Sequence, residues 1–417
     1  MTKYNALRGF QDIFPPEIYL WQRVEKTAKE VFLTYGFQEL KPPIIESTEI
    51  FIRSIGETSD IVEKEMYTFT DKGGRSVTLR PEGTAPVVRC YVQNRLYNLP
   101  SPQKFFYSGP MFRYERPQRG RLRQFYHIGI EALGISDPKI DAEILLMLRT
   151  IFDRLNLRGL SYELNSIGCE RCRPNYKKAL MDFLKDRING FCSDCKRRYE
   201  FNPMRILDCK IKECMKLRVG SPKMTDFLCE GCKVHFDTLL SLLRFAEFPY
   251  SINHDMVRGL DYYTRTTFEV RSKQLGAQNA VAAGGRYDRL VEEFGGPPTP
   301  AVGFAIGMER VSELLSYSDK IEIPSPEVFI ATIGTSAANE SLVIASNLRN
   351  KGIWTEIGYS KNSLKSQLRK ADRLSAHYVL IIGEDELKTG KLKWKRLSDG
   401  SQGDVAISKV LEFFERR

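Results

Sequence analysis

Three separated arginines occur in sequence contexts that suit the binding of phosphate groups. Arg258 opens the run Arg-Gly-Leu-Asp-Tyr-Tyr, Arg113 opens a segment with five arginines by Arg123, and Arg310 ends Ala-Val-Gly-Phe-Ala-Ile-Gly-Met-Glu-Arg. A planar guanidinium matches the oxygens of a phosphate in a bidentate manner. The sequence has no Walker-type glycine loop with Lys-Ser/Thr, so other groups must hold the phosphates. The pattern predicts a polyphosphate pocket formed by arginines.

Eight of the nine cysteines fall within one window, residues 169–232, and form closely spaced pairs. Such pairs are typical of tetrahedral zinc sites, while disulfides are unexpected in a reducing compartment. The first candidate zinc site is Cys169-x-x-Cys172 with Cys192-x-x-Cys195, and the second candidate set is Cys209-x4-Cys214 with Cys229-x-x-Cys232. The sequence does not determine which pairs share an ion, and inert thiols are the alternative.

Length and composition indicate a multidomain globular protein with an anionic partner. A chain of 417 residues predicts two or three domains. Its hydrophobic content of 42% supports buried cores and argues against disorder. The formal net charge of +11 favours a partner such as nucleic acid. The sequence shows neither the apolar core of a signal peptide nor a bilayer-length apolar stretch, so we expect a soluble, cytoplasmic protein without membrane association.

Periodicity and terminator residues divide the first part of the chain into helices and strands. Helices are predicted at Ile18–Tyr35, Ala85–Leu96, Asp141–Leu155 and from Met308, and strands at Phe37–Ile45, Lys104–Phe112, Gln124–Leu133, Phe268–Val270 and Ala280–Ala283. Pro42 and Pro43 place the first strand at an edge or an interface. A charged, helical stretch, roughly Gly168–Cys232, interrupts this core and ends in a helix through Leu239–Phe245.

The C-terminal part reads as a separate small domain behind a polar linker at Ser318–Pro326. Its predicted strands Val328–Ile333, Trp354–Ile357 and Tyr378–Ile382 alternate with helices Asn339–Arg349 and Ser363–Ala371, an order typical of an α/β fold with a mostly parallel sheet. Lysines gather around Trp394. Such a cluster could stack on single-stranded nucleic acid, but a solvated hairpin whose lysines protect an edge strand is the favoured interpretation of this cluster alone.

The motifs together resemble the histidyl-tRNA synthetases, which are class II aminoacyl-tRNA synthetases. The likeness runs from Arg8-Gly-Phe-Gln-Asp to the C-terminus. The three class II motifs are similar to Phe37–Glu46 with the interface proline Pro43, to Gly109–Gln118 with the following loop and strand, and to Gly303–Arg310. Two signatures of the histidine enzymes match Arg258–Tyr263 and Ala283–Tyr287.

The resemblance implies an α+β fold with a class II antiparallel sheet core flanked by helices. This catalytic domain would span residues 1–320, with a helical cysteine-rich insertion at about 168–245, and an α/β anticodon-binding domain would span residues 325–417. The implied activity is ATP-dependent ligation of L-histidine to the 3′ end of tRNA(His) through a histidyl-adenylate, by a homodimer. Mg²⁺ would bridge the pyrophosphate oxygens. Zinc in the cysteine pairs is not a general feature of the family.

The resemblance also implies roles for individual residues. Arg113 and Arg258 would contact the α-phosphate as catalytic residues and would also bind the substrate histidine. Two guanidinium groups on one phosphoryl group would stabilise the charge of the transition state. The ATP site would contain Arg113, Glu115, Arg121, Phe125 and Arg310, with Glu115 reading adenine, Phe125 stacking on it, and Arg121 and Arg310 at the γ-phosphate.

The implied histidine pocket departs from the family at one position. Glu131 and Tyr263 would satisfy the imidazole nitrogens, while Glu82, Gly83 and Thr84 would bind the α-amino group. Tyr262 and Tyr287 belong to the same pocket. His127 stands where the family commonly has glutamine, which leaves that one contact open. Taken singly, each arginine would be read as a surface ion-pair partner and each tyrosine as a core aromatic residue.

Two other functions remain alternatives. A catalytically inactive paralogue that senses histidine for a biosynthetic enzyme would share the core, but it would be expected to lack the tail domain and to lose catalytic arginines. This chain contains Arg113, Arg258, Arg310 and the tail. A pure nucleic-acid-binding module would leave the polyphosphate arginines unexplained.

Overall fold

The computed structural model of the chain divides into two units, Met1–Ile321 and Glu322–Arg417. The residues it describes are 4–57, 59–118, 120–276, 279–318, 321–359 and 363–415. Arg119 of the arginine-rich loop and residues 319 and 320 of the predicted linker therefore lie outside the described residues. Within the described ranges, no helix combines the length and apolarity needed to cross a bilayer.

Two sheets form the first unit. Their strands are β1 (Gln38–Glu39), β2 (Ile45–Ser47), β3 (Tyr67–Thr70), β4 (Ser76–Leu79), β5 (Gln103–Phe112), β6 (Gln124–Leu133), β7 (Leu160–Ser166), β8 (Ser251–Ile252), β9 (Thr264–Ser272), β10 (Ala280–Arg286) and β11 (Ala301–Gly307). The order β1-β5-β6-β11-β10-β9-β7-β8 makes the large sheet, and β2-β4-β3 makes the small one.

The large sheet confirms the predicted antiparallel core and adds two parallel edges. Every neighbouring pair from β5 through β7 is antiparallel. The two-residue strands β1 and β8 run parallel to β5 and β7. The predicted single strand Phe37–Ile45 was wrong: β1 and β2 lie on either side of Pro42 and Pro43, because a proline has no N–H to continue a ladder.

Helices of the first unit cover the sheet and build the insertion. They are α1 (Glu17–Thr34), α2 (Thr48–Ile55), α3 (Thr84–Gln93), α4 (Pro138–Arg154), α5 (Arg173–Leu184), α6 (Ser193–Phe201), α7 (Lys212–Leu217), α8 (Glu230–Phe245), α9 (Leu290–Glu293) and α10 (Met308–Ser318). In α1 the buried Val24, Ala28 and Val31 recur at helical spacing. Together with α4, α8 and α10, this helix packs into one hydrophobic core with the large sheet.

The second unit is a five-stranded sheet with its own core. Its elements are β12 (Val328–Thr332), α11 (Thr335–Asn350), β13 (Thr355–Ile357), α12 (Leu364–Arg373), β14 (Tyr378–Ile382), α13 (Glu384–Thr389), β15 (Lys391–Arg396), β16 (Gln402–Ala406) and α14 (Val410–Glu415). The strand order is β13-β12-β14-β15-β16. The first three strands are parallel, as predicted, whereas β15 and β16 add an antiparallel hairpin.

The lysine cluster of this unit lies on β15, which is not an edge strand. Lys391, Lys393 and Lys395 are exposed to solvent, while Leu392, which alternates with them along the strand, is buried. Trp394 lies half-buried, with its ring centroid 5.3 Å from that of Phe413. Strands β15 and β16 form the predicted hairpin, but β16 pairs with the outer side of β15, so the edge-strand part of the interpretation was wrong. Trp394 packs against the core of this unit, which leaves the lysines as the exposed feature.

A fully buried ion pair joins the large sheet to the helices on its face. Arg286, at the end of β10, places Nε 3.0 Å from Oδ2 of Asp141 on α4, and both side chains have no solvent exposure. The other guanidinium nitrogens lie 2.9 Å from Asp288 and donate to the carbonyl of Ile135 at 2.9 Å. His235 of α8 contacts the same Asp141 carboxylate at 3.4 Å. The pair is therefore satisfied on every side.

We expect Arg286→Met to destabilise the first unit strongly, because it leaves the Asp141 carboxylate buried without its cation. Breaking a buried pair by removing one partner costs about 3–5 kcal/mol. Denaturant unfolding followed by circular dichroism measures this change. The matched control is Arg289→Met, which removes an exposed arginine that pairs with Glu170 and should leave the unfolding midpoint nearly unchanged. Equal stability of the two variants would contradict the central role given to Arg286.

Candidate active site

A cavity of about 360 Å³ opens on the large sheet and is called the arginine cavity here. Strands β6, β10 and β11, the turn before α3 and the loop between β8 and β9 contribute its walls. The predicted site residues that line it are Glu82, Gly83, Thr84, Arg113, Glu115, Arg121, Phe125, His127, Arg258, Tyr262, Tyr263, Tyr287 and Arg310. Glu131 is the one predicted non-cysteine residue absent from this described lining.

The described lining of the cavity contains four arginines, which stand among five carboxylates. Arg113 follows β5, donates from Nε to the carbonyl of Pro81 at 2.9 Å, and lies over the Phe125 ring at 5.3 Å. Burial lowers the pKa of Arg113, Arg121 and Arg310, and neighbouring guanidinium groups act in the same direction on Arg121 and Arg310. Buried like charges are costly. An anionic ligand would relieve this cost.

Arg258 is held by a carboxylate that the sequence did not reveal. Its Nη1 contacts Oε1 of Glu269 on β9. The other oxygen of Glu269 accepts hydrogen bonds from Arg271 at 2.8 and 2.6 Å, and Arg271 lies 3.3 Å from Glu163. Nε of Arg258 is buried without a hydrogen-bond partner among the described residues. The guanidinium is thus oriented by Glu269 and retains a donor for a ligand.

Two residues predicted to bind ATP contact each other. The Glu115 carboxylate lies against the Arg121 guanidinium, and Arg310 of α10 donates to the carbonyl of Ala280. A nucleotide that uses both Glu115 and Arg121 must open their contact.

Glu131 lies behind the cavity wall rather than in it. Its Oε1 accepts a hydrogen bond from Thr84 at 2.7 Å, and its Oε2 accepts one from Tyr287. The side chain has no exposure, and burial raises the pKa of Glu131 to about 8. Gly303 leaves the space that this carboxylate occupies, since a Cβ there would lie 1.9 Å from Oε2.

The turn before α3 is ordered by Glu82. Its carboxylate accepts hydrogen bonds from the backbone N–H groups of Thr84 at 2.7 Å and Ala85 at 2.8 Å, so it caps the helix. Burial raises the pKa of Glu82. Gly83 is required between these contacts, because a Cβ would lie 2.2 Å from the Tyr107 ring. This turn presents polar groups in a fixed arrangement at the cavity.

His127 offers an unpaired ring nitrogen inside the cavity. Its Nδ1 is buried and has no hydrogen-bond partner among the described residues, and its ring contacts Phe125 edge-on at 5.0 Å. Burial, followed by the nearby cations Arg113 and Arg310, lowers the pKa of His127 to about 3. The imidazole is therefore neutral across the working pH range and can accept a hydrogen bond.

Four polar side chains of the described lining were not among the predicted site residues: Tyr107, Asp208, Glu269 and Glu309. Tyr107 lies on β5 opposite Gly129 of β6, so a strand register was needed to find it. Asp208 comes from the cysteine-rich insertion. Glu309 belongs to the third motif, between Met308 and Arg310, and accepts the backbone N–H of Tyr126 at 2.9 Å. Its position in that motif was the one available sequence signal.

The eight cysteines of the insertion group differently from the order taken in the sequence. The outer cluster is Cys169, Cys172, Cys229 and Cys232, and the inner cluster is Cys192, Cys195, Cys209 and Cys214. Within each cluster all sulfur atoms lie within 4.8 Å of one another. The chain enters and leaves the insertion at neighbouring positions in space, so the first cysteine pair, Cys169 and Cys172, lies beside the last, Cys229 and Cys232. The candidate set of Cys169, Cys172, Cys192 and Cys195 is therefore replaced.

This fold and cavity define a class II type of synthetase catalytic unit, with an antiparallel sheet that carries arginines in place of a phosphate-binding glycine loop. The family profile described as Histidyl-tRNA synthetase matches residues 9–171 and 227–311, and the profile described as Anticodon binding domain matches residues 327–417. The chain belongs to the histidyl-tRNA synthetase family.

Individual relatives match over the full length. A histidine–tRNA ligase of Thermodesulfovibrio yellowstonii is 56% identical over 415 residues, which cover 100% of this chain and 99% of the relative. A histidine–tRNA ligase of Geobacter metallireducens is 50% identical over 97% of each chain. The crystal structure of the apo S. aureus histidyl-tRNA synthetase superimposes with a TM-score of 0.83 at 35% identity, covering 99% of this chain and 100% of that one.

We expect Glu131→Gln to flatten the dependence of stability on pH. The folded pKa of about 8 lies above the ordinary value of 4.5, so the stability that Glu131 contributes is fully present below pH 4.5 and is lost as the pH rises towards 8. Each pH unit in this window changes the free energy of unfolding by about 1.4 kcal/mol. Glutamine cannot ionise, so this term disappears.

Urea unfolding at several pH values between about 5 and 8 measures the slope. The matched control is Glu30→Gln on the exposed side of α1, which should keep the slope of the wild type. A Glu131→Gln variant with the wild-type slope would mean that this carboxyl group ionises normally in the folded protein.

Proposed function

We propose that the protein uses the arginine cavity to activate L-histidine with ATP and then to transfer the histidine to the 3′ end of tRNA(His). In the first step the histidine carboxylate attacks the α-phosphorus, the bond to the bridging oxygen breaks, and pyrophosphate leaves. In the second step the terminal 3′ hydroxyl of the tRNA attacks the carbonyl carbon of the adenylate and AMP leaves. The observation that carries the proposal is the convergence of Arg113 and Arg258 on one cavity.

Arg113 and Arg258 act on the phosphoryl group from different elements. One follows β5 and the other lies in the loop before β9, so each guanidinium can contact the α-phosphate while the carboxylate approaches. The fixed partners Pro81 and Glu269 keep both groups oriented before the substrate arrives. Such preorganised charge stabilises the transition state without later rearrangement.

The remaining cavity accommodates the nucleotide. Phe125 provides a ring for stacking, Glu115 reads adenine, and Arg121 and Arg310 hold the γ-phosphate end. Mg²⁺ binds through substrate phosphate oxygens together with one or two carboxylates. The described lining offers Asp208 and Glu309 for this purpose, which fits the preference of that ion for oxygen ligands. When bound, the ion neutralises charge on the pyrophosphate.

Selectivity for histidine comes from polar groups that need an imidazole. Tyr263 and Tyr287 line the pocket, and Tyr287 is anchored by the buried Glu131. An apolar amino acid would leave buried polar groups unpaired, and this penalty gives strong discrimination without editing. Glu82, Gly83, Thr84 and His127 would receive the α-amino group at the turn before α3, and Tyr262 would support Glu82, whose carboxylate lies 3.5 Å away.

The partners follow from both units. The second unit carries 15 basic and 11 acidic residues from Ser325 onward, and the exposed lysines of β15 suit the phosphates of a tRNA anticodon arm.

Pro43, Ile44 and Ile45 are exposed beside the small sheet, an apolar surface that suits the interface of a homodimer. The free state of the nine cysteines fits a reducing cytoplasm. The two cysteine clusters suit structural Zn²⁺.

A histidine-sensing paralogue without catalysis is the competing function. It is disfavoured because Arg113, Arg258 and Arg310 all line the cavity and the anticodon-binding unit is present. Histidine-dependent exchange of pyrophosphate into ATP separates the two functions. Exchange that requires histidine supports the ligase, whereas histidine binding without exchange supports the sensor.

We expect Arg258→Ala to slow adenylate formation by roughly 100-fold to 1000-fold, because the lost guanidinium acts on the phosphoryl transition state. Transfer of histidine from preformed adenylate to tRNA should be less affected. Rapid-quench measurement of the two steps gives both rates. The exposed Arg154→Ala variant is the control and should retain both. Equal losses in the two steps would remove Arg258 from its assigned role.

We expect His127→Gln to change histidine affinity without changing the shape of its pH dependence between about pH 5 and 9. The wild-type imidazole, with a pKa of about 3, is already neutral throughout this range, as the glutamine amide is. The remaining pH dependence belongs to the imidazole of the substrate. Equilibrium binding of histidine at several pH values is the measurement. An acid-side loss seen in the wild type and absent from His127→Gln would show that His127 titrates in this range.

A further inference from the structure

The cysteine-rich insertion is closed by two nested clusters. The outer cluster brings together the start of the insertion and the N-terminus of α8, and it joins sulfur atoms 60 positions apart in the chain. The inner cluster lies inside it and joins sulfur atoms 17 positions apart. The family profile stops at residue 171 and resumes at 227, so the inner cluster lies between the matched segments. Nothing in the catalytic chemistry described above uses these thiols.

The spacing of the sulfur atoms fits a metal ion better than disulfides. Sulfur atoms bound at about 2.3 Å to a tetrahedral Zn²⁺ lie roughly 3.8 Å apart, whereas a disulfide needs about 2.05 Å. In the outer cluster the Sγ atom of Cys169 lies 3.6 Å from that of Cys172 and 3.8 Å from that of Cys229. In the inner cluster Cys192 and Cys209 are 4.0 Å apart. Four sulfur atoms at these separations outline a tetrahedron.

Backbone hydrogen bonds to sulfur accompany this arrangement. The N–H of Cys229 donates to Sγ of Cys172 at 3.1 Å, and the N–H of Cys192 donates to Sγ of Cys214 at 3.4 Å. Donors aimed at a thiolate stabilise its negative charge and fix its direction, as the surroundings of metal ligands do. Each cluster therefore has both the ligand set and the supporting contacts of a structural zinc site.

The two clusters hold arginines that clasp the loop carrying Arg258. Arg205, four residues before Cys209, donates from Nη1 to the backbone carbonyl of Arg258 at 2.8 Å. Arg173, directly after Cys172, donates to the backbone carbonyl of Tyr263. The segment Arg258–Tyr263 is thus held at its first residue from the inner cluster and at its last residue from the outer cluster. The amide of Asn202 adds a contact to Asp261 at 3.3 Å.

The insertion also reaches the opposite rim of the cavity. Helix α6, which begins directly after Cys192, contacts the short helical turn before β3: Arg198 lies 2.9 Å from Asp60 and Arg197 lies 2.6 Å from Glu63. Asp208, directly before Cys209, lines the arginine cavity. Two residues close to the inner cluster in the chain, Arg205 and Asp208, therefore reach the active site, and α6 adds its contacts with Asp60 and Glu63.

We propose that each cluster binds one Zn²⁺ and that the two ions rigidify the insertion as a clamp on the Arg258–Tyr263 loop. Arg205 and Arg173 are positioning residues in this arrangement, since they act on the substrate through the loop. Loss of the inner ion would release Arg205 and Asp208, and with them the orientation of Arg258. The activity part of this inference rests on the proposed synthetase function, while the metal part does not.

Metal analysis of the full-length protein tests the sites and their pairing. We expect two zinc ions per chain in the wild type and in Cys90→Ser, the cysteine outside the insertion. Cys169→Ser/Cys229→Ser should keep one ion, because both changes fall in the outer cluster. Cys169→Ser/Cys192→Ser should keep none, because it damages both clusters. A wild type without zinc, or one ion retained in the second double variant and none in the first, would overturn the proposal.

A second measurement covers variants that fail to fold. Titration of native wild-type protein with an organomercurial, with a metallochromic indicator present, should release one zinc for every four insertion thiols modified, while Cys90 reacts without release of zinc. Peptide mapping at half-titration should find outer-cluster and inner-cluster cysteines modified as two separate groups of four. Full modification of thiols without zinc release would reject the sites independently of any substitution.

Kinetics test the clamp. Arg205→Ala should lower the kcat of histidine-dependent ATP–pyrophosphate exchange roughly 10-fold to 100-fold through misplacement of Arg258, with both zinc ions retained. Arg205→Lys should recover part of this loss, since a lysine can still donate to the carbonyl. Cys209→Ser should lose one ion and show a similar loss of kcat. Unchanged kcat in Arg205→Ala and Cys209→Ser would overturn the clamp, and a wild type lacking exchange would instead fail the proposed function.

Discussion

The structure depends most on the buried ion pair between Arg286 and Asp141. Neither charge reaches water, so the pair is tolerated only when β10, α4 and the carbonyl of Ile135 are all docked. A buried pair of this kind adds little net stability but penalises every arrangement that leaves one partner alone. Tyr287 follows Arg286 directly in the chain, and its hydroxyl donates a hydrogen bond to the Glu131 carboxylate. The ion pair therefore fixes the position of the end of β10 relative to α4, and with it the position of Tyr287 in the wall of the arginine cavity.

Charge in the cavity is arranged in advance of the ligand. Burial lowers the pKa of Arg113, Arg121 and Arg310. Two carboxylates of the lining are already engaged: Glu269 by Arg258 and Arg271, and Glu82 by the N-terminus of α3. Arg258 still has a buried Nε without a hydrogen-bond partner among the described residues, so a phosphate oxygen can use a donor that is already in place. Burial, reinforced by the nearby Arg113 and Arg310, lowers the pKa of His127 and keeps its imidazole neutral. Binding and catalysis use the same preorganised guanidinium groups.

Local signals predicted elements better than they predicted contacts between elements. Strand β6 was predicted at its observed bounds, Gln124–Leu133, because apolar residues and the flanking loop mark both ends. The break at Pro42 and Pro43 was missed, although the missing N–H groups were visible in the sequence. Glu269 could not be predicted as the partner of Arg258, since its carboxylate becomes relevant only after β9 turns back beside the loop. The grouping of the cysteines was predicted incorrectly for the same reason, since it depends on which distant segments of the insertion meet.

The nested order of the clusters has a physical basis in chain entropy. The cost of closing a loop rises with its length. The inner cluster, where Cys192 and Cys209 lie 17 positions apart, therefore closes more readily than the outer cluster, where Cys169 and Cys229 lie 60 positions apart. Closing the inner loop first shortens the free chain that the outer cluster must join. A sequential grouping would instead tie the exit at α8 to Cys209 and Cys214 and would leave it unconnected to the entry at Cys169 and Cys172. With an ion in each of the nested clusters, the insertion is anchored both where it leaves the core, at the outer cluster, and beside Arg205, at the inner cluster. A part of the chain that the family profile does not match is thereby coupled to Arg258, the arginine that the chemistry needs.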